Sequence, residues 1–112
     1  MGEYCWYMEN ITRTIDLIKE TILKHVPAKC IYLFGSHAYG EPTENSDIDI
    51  FLVVPDDVTS HLELYGKIMY DLSLKKIYYV DLLISRECVF NKRKTFFLEE
   101  KVIQKGRVLY AS

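Results

Sequence analysis

Asp47 and Asp49 stand two residues apart at the head of an apolar run, Ser46-Asp47-Ile48-Asp49-Ile50-Phe51-Leu52-Val53-Val54. Side chains in a β-strand repeat their direction every two residues, so both carboxylates are expected on one face of a strand. Held side by side they repel, which calls for a cation, a shared proton or a special role. Just upstream, Leu33-Phe34-Gly35-Ser36-His37-Ala38-Tyr39-Gly40 carries a strand into a Gly-Ser turn. Gly35 lets the main chain approach a phosphate closely, and Ser36 offers a hydroxyl donor; a turn of helix over Ser36–Gly40 would add free N–H groups. The turn is not a Walker A loop, because Glu41-Pro42 follow Gly40 where Lys and Ser or Thr would be needed, and it is not a dinucleotide fingerprint.

A third carboxylate, Asp81, interrupts the apolar run Tyr78-Tyr79-Val80-Asp81-Leu82-Leu83-Ile84. Burying it there is costly unless it is paired, hydrogen-bonded or metal-bound. If its strand lies beside the one carrying Asp49, the three carboxylates form an oxygen donor set suited to Mg²⁺ or Mn²⁺, in which two ions could serve phosphoryl or nucleotidyl transfer. Asp56 and Asp57, after Pro55, are read as ordinary turn residues.

The elements that must position these groups alternate in type. Met8, Ile11, Ile15, Ile18, Ile22 and Val26 recur at spacings of three and four, which predicts an amphipathic helix over residues 8–26, ended by Pro27. Cys30–Phe34 reads as a buried strand, Glu41–Asn45 as loop, and Asp47–Val54 as a second strand stopped by Pro55. Ser60–Leu74 has helical spacing with Ser60 as its cap, and Ile77–Ser85 reads as a third strand. Arg86–Lys94 carries no clear pattern; Thr95–Lys105 reads as a helix stopped by Gly106, and Val108–Tyr110 as a short edge strand. This predicts one α/β (α+β) domain over residues 1–112, a small mixed β-sheet flanked by helices.

Composition bounds the setting. The 112 residues are 49% hydrophobic and 27% charged, which argues for a folded domain, and a net charge of −2 disfavours duplex DNA binding through a basic surface. Three cysteines, Cys5, Cys30 and Cys88, form no C-x-x-C pair, as suits a reducing compartment. No apolar run is long enough to span a bilayer and no signal peptide is evident, so a cytoplasmic location without membrane contact is expected.

Taken together, Gly35-Ser36, Gly40, Asp47-Ile48-Asp49 and the strand-borne Asp81 resemble the DNA polymerase β-type nucleotidyltransferase superfamily. More closely, they resemble the minimal nucleotidyltransferases (MNT) that act as antitoxins beside HEPN-domain toxins. The resemblance implies a palm-like fold in which Asp47, Asp49 and Asp81 bind two Mg²⁺ ions and Gly35 and Ser36 contact the nucleotide phosphates. Asp81 would also help activate the attacking hydroxyl. It further implies transfer of AMP from ATP, for antitoxin members to a tyrosine of the HEPN toxin. Many members carry arginines inside the Gly-Ser-x-x-x-Gly turn, where this chain has His37 and Tyr39. Two alternatives stay open: a non-catalytic antitoxin that neutralises its partner by occlusion, and transfer to a small molecule. The stretch after Asp81 is too short for an acceptor-binding domain, so a second polypeptide or a second copy of the chain is expected to complete an acceptor site.

Overall fold

The apolar stripe that begins to be legible at Met8 belongs to a longer helix, α1 (Gly2–His25), since nothing between Glu3 and Met8 breaks a helix. The computed structural model describes residues 2–39 and 46–112; Gly40, the loop predicted over 41–45 and the Ser36 side chain lie outside the described residues. After α1 come β1 (Cys30–Phe34), the single turn α2 (Ser36–Tyr39), β2 (Ile48–Val54), α3 (His61–Leu74), β3 (Val80–Arg86), α4 (Glu87–Lys92), α5 (Phe97–Lys105) and β4 (Arg107–Ala111). The strands form one sheet in the order β3-β2-β1-β4, with β2 parallel to β3 and the other pairs antiparallel. The mixed α/β architecture and the edge position of the last strand match the expectation from sequence.

Strand alternation splits the apolar residues between two faces. Ile31, Leu33, Ile48, Ile50, Leu52, Val54, Val80 and Leu82 pack against Ile15, Ile18 and Ile22 of α1 and Leu64, Ile68 and Leu72 of α3. Burying each of these side chains is worth roughly 1.5–3 kcal/mol, so this layer dominates the stability of the fold. On the opposite face Phe51 and Val53 pack with Phe90 of α4 and Val102 of α5, joined by Cys30, Tyr32 and Phe34. Phe51 and Phe90 have ring centroids 5.4 Å apart, and Phe34 meets Phe51 edge-on at 6.4 Å. α5 ends against the sheet at Gly106, where a side chain would come within 3.0 Å of the Leu33 carbonyl oxygen.

α3 makes the crossover between the parallel strands and is closed at both ends. The Ser60 hydroxyl accepts from the Glu63 N–H at 3.1 Å, the cap expected from sequence. At the other end the Lys76 N–H donates to the Ser73 carbonyl (3.0 Å) and the Ile77 N–H to the Leu72 carbonyl (2.9 Å). This is a Schellman closure with Lys76 in the left-handed position, φ 61°. Because Ile77 is committed to closing the helix, β3 begins at Val80 and not at Ile77. A lysine in a position that favours glycine is strained. Lys76→Gly is therefore expected to stabilise the chain by about 1 kcal/mol, read as a raised midpoint in urea with unchanged slope.

α1 and α3 are further tied by polar contacts at the C-terminal end of α1. Asp71 Oδ2 meets His25 Nε2 at 2.9 Å and Lys24 Nζ at 3.5 Å, while Lys75 Nζ lies 3.5 Å from Asp71 Oδ1. Lys75 also donates to the hydroxyl of Thr21, which is buried and itself donates to the Leu17 carbonyl at 2.7 Å. The hydrogen bond from His25, helped by Lys24 and Lys75, holds the Asp71 carboxyl below its usual range. Among the described residues no helix is long and apolar enough to cross a membrane.

Candidate active site

The parallel ladder brings Asp49 and Asp81 together. Ile48 pairs with Val80 and Asp49 with Asp81, so the two carboxylates lie in register on neighbouring strands. Each stands one residue beyond a core side chain, Ile48 or Val80, and so both belong to the face opposite α1 and α3. On the other side Asp49 is in register with Phe34, the last residue of β1. Phe90 and Val102 cover this face farther along β2, against Phe51 and Val53, while at the end that carries the carboxylates Asp81 is exposed and Asp49 half-buried.

Two expectations need correction. Asp81 is exposed, not buried in an apolar strand: among the described residues β3 is the margin of the sheet. Asp47 does not begin β2; the ladder starts at Ile48, whose N–H donates to the Tyr79 carbonyl at 2.7 Å. Asp47 is exposed, one residue ahead of the strand, so strand alternation alone does not set its direction.

Electrostatics nevertheless join the three groups. Partial burial raises the Asp49 carboxyl above its usual range, the negative charges of Asp81 and Asp47 push it the same way, and His37 pulls it back. Gly35 interlocks with this residue. It follows β1 with φ +73°, and a Cβ built on it would overlap the Asp49 carboxylate, lying 2.9 Å from its Cγ. The missing side chain thus serves two ends: it permits the left-handed turn, and it leaves the space that Asp49 fills. The Ala38 N–H closes the turn onto the Gly35 carbonyl at 3.0 Å.

His37, which stands inside the glycine turn, has a definite partner. Its Nε2 lies 3.2 Å from the carbonyl oxygen of Ser46, to which it donates, and so it fastens α2 to the residue just before Asp47. No sequence signal marks this bond, because its acceptor is a main-chain carbonyl nine residues away.

Among the described residues no three His, Cys, Asp or Glu side chains are gathered tightly enough to cage a metal ion by themselves. The chemistry of the donor set still fits a divalent cation. All its members are carboxylates, they repel one another at Asp49, and two are exposed on an open sheet end where further oxygen ligands could come from a substrate.

Comparison with known proteins identifies the family and the fold. A family model described as a nucleotidyltransferase domain matches residues 15–108. A protein of Methanocaldococcus jannaschii named as a protein adenylyltransferase is 38% identical over 82 residues, covering 73% of this chain and 78% of the relative. Two solved structures share the fold. One is a toxin–antitoxin with AMP-PNP, with TM-score 0.57 and 24% identity over 85% of this chain and 71% of that one. The other is a tri-AMPylated Shewanella oneidensis HEPN toxin in complex with MNT antitoxin, with TM-score 0.58 and 22% identity over 90% and 72%.

Proposed function

This chain belongs to the nucleotidyltransferase domain family and is a nucleotidyltransferase, and we propose that it transfers AMP from ATP to a hydroxyl group of a partner protein. The observation that carries the reading is the in-register pair Asp49 and Asp81 at the open end of the sheet, with Gly35 folded against Asp49. The protein acceptor is supported by the name of the Methanocaldococcus jannaschii relative. The same fold in an MNT antitoxin bound to an AMPylated HEPN toxin supports a HEPN-type toxin as that partner, its tyrosine as the acceptor, and this chain as the antitoxin.

Asp47, Asp49 and Asp81 are the residues that would hold Mg²⁺ or Mn²⁺, two ions in the proposed site, which when bound would neutralise the triphosphate and favour departure of pyrophosphate. Gly35 would let the main chain lie against the phosphates, with Ser36 donating to them. Asp81, exposed on the marginal strand, is the carboxylate an incoming acceptor can reach, and it takes the hydroxyl proton. The acceptor oxygen forms its bond to the α-phosphorus as the α–β phosphoanhydride bond breaks, and pyrophosphate leaves.

Incubating the chain with α-labelled ATP, Mg²⁺ and a co-expressed HEPN-type toxin is expected to place label on the toxin. Absence of label from every freshly prepared complex would overturn the reading. One observation favours the alternative of neutralisation by occlusion: His37, where many family members carry arginine, spends its Nε2 on Ser46. Asp47→Asn separates the two, since protection from the toxin survives this change only under occlusion.

A further inference from the structure

In the order β3-β2-β1-β4, β3 has a strand on one side only among the described residues. The ladder also tells which of its main-chain groups face outward. A residue in a strand directs its N–H and C=O to the same side, and neighbours alternate. The Tyr79 carbonyl accepts from Ile48 of β2, and Ile48 is in register with Val80. Tyr79, Asp81 and Leu83 therefore turn their main-chain groups towards β2, and Val80, Leu82 and Ile84 turn theirs to the free margin. The side chains of those last three lie in or against the α1–α3 core, so their outward N–H and C=O groups are held in fixed positions.

The other side chains of the strand are laid out differently. Leu83 is 38% exposed, and Tyr79, one residue ahead of β3 but tied to β2 through its carbonyl, is 62% exposed; each is two residues from the exposed Asp81. The carboxylate that receives the acceptor proton thus stands between two uncovered apolar side chains. The margin itself is seven residues long and contains no proline. Folds commonly blunt or cover such edges, and pairing with an extended peptide is a recurrent way of filling them.

We propose that the acceptor enters as an extended segment of the partner protein and adds a fifth strand along the free margin of β3. Strands in a sheet lie about 4.8 Å apart, so alternate side chains of the added segment stand beside Asp81 on its own face. The hydroxyl-bearing residue occupies that place, and apolar residues two before and two after it pack on Tyr79 and Leu83. This rests on the role given above to Asp81, and it specifies what Asp81 accepts: a hydroxyl in an extended segment, flanked at both second neighbours by apolar residues.

The test uses the full chain with ATP, Mg²⁺ and short synthetic peptides carrying a central Tyr, Ser or Thr between valines at the second neighbours. With the peptide it accepts, amide exchange at Val80, Leu82 and Ile84 is expected to slow by about tenfold or more, while Asp81 and Leu83, already bonded to β2, change little. Leu83→Glu is expected to raise the KM for the peptide about tenfold and leave the KM for ATP unchanged, because Leu83 has no part in the proposed nucleotide site. Slowed exchange without transfer of label would uphold the docking mode and overturn the transferase reading. Transfer of label while the three amides exchange at their free rates, with Leu83→Glu behaving as wild type, would overturn the docking mode alone. Neither slowed exchange nor transfer with any of the three peptides would also overturn it.

Discussion

Replacing Asp49 by Asn is expected to lower AMP transfer by roughly 10³-fold or more and, in the absence of metal, to make the chain more stable. The first effect follows from removing a preorganised charge at the reacting centre, where loss of even one hydrogen-bond donor costs about 10²–10³ in rate. The second follows from the direction of the carboxyl shift. Burial, Asp81 and Asp47 raise the folded-state value, so the fold penalises the ionised carboxylate. That penalty is absent below the ordinary carboxyl range and complete once the pH exceeds the raised value. The metal-free wild type should therefore lose stability as pH rises through that value. Asp49→Asn should lack this slope, melt higher at neutral pH and converge with the wild type on acidification. Mg²⁺ should raise the melting temperature of the wild type and not of the variant. Thermal melts across pH, with and without Mg²⁺, measure all of this. A variant that melts no higher than the wild type at neutral pH would show that the fold does not penalise the ionised Asp49 carboxylate.

Gly35→Ala is expected to damage fold and activity together. A non-glycine residue at φ +73° costs about 1–2 kcal/mol. Displacing the Asp49 carboxylate adds an overpacking cost of about 1–3 kcal/mol, for a total of roughly 2–5 kcal/mol. Transfer should fall to the level of Asp49→Asn, because the carboxylate must move out of register with Asp81. A double-mutant cycle isolates the contact: with Asp49→Gly in the background, the overpacking part should vanish and only the backbone strain remain. Additive losses would mean that Gly35 is required for its backbone alone.

Periodicity made most of this fold legible. Ile15, Ile18 and Ile22 mark α1, and the Ser60–Glu63 cap marks the start of α3, because a helix writes its buried face and its ends into the local sequence. The candidate site stood out in the sequence for a related reason. Asp49 and Asp81 each break an apolar run, and a break of that kind has to be explained by the solvent or by a ligand. What stayed hidden depends on neighbours remote in sequence. Asp81 reads as a buried residue from its own strand, and only the order of strands shows that it stands at the margin. Lys76 gives no sign of a left-handed cap, since glycine is the usual signal. The helix over Glu87–Lys92 left no trace because a single buried residue, Phe90, holds it to the sheet. The bond from His37 to Ser46 ends on a carbonyl, which every residue has.

The crossover acts as a ruler. The fourteen residues of α3 rise about 21 Å at 1.5 Å each, close to the roughly 23 Å covered by the seven residues of β2. The helix therefore carries the chain back to the level at which β2 began, and Asp81 arrives opposite Asp49. Strand alternation leaves no tolerance in that arrival. A slip of β3 by one residue along β2 would turn Asp81 into the packed face and bring Val80 or Leu82 to the open one. The level at which Asp81 meets Asp49 is thus matched to the length of a helix that carries neither of them.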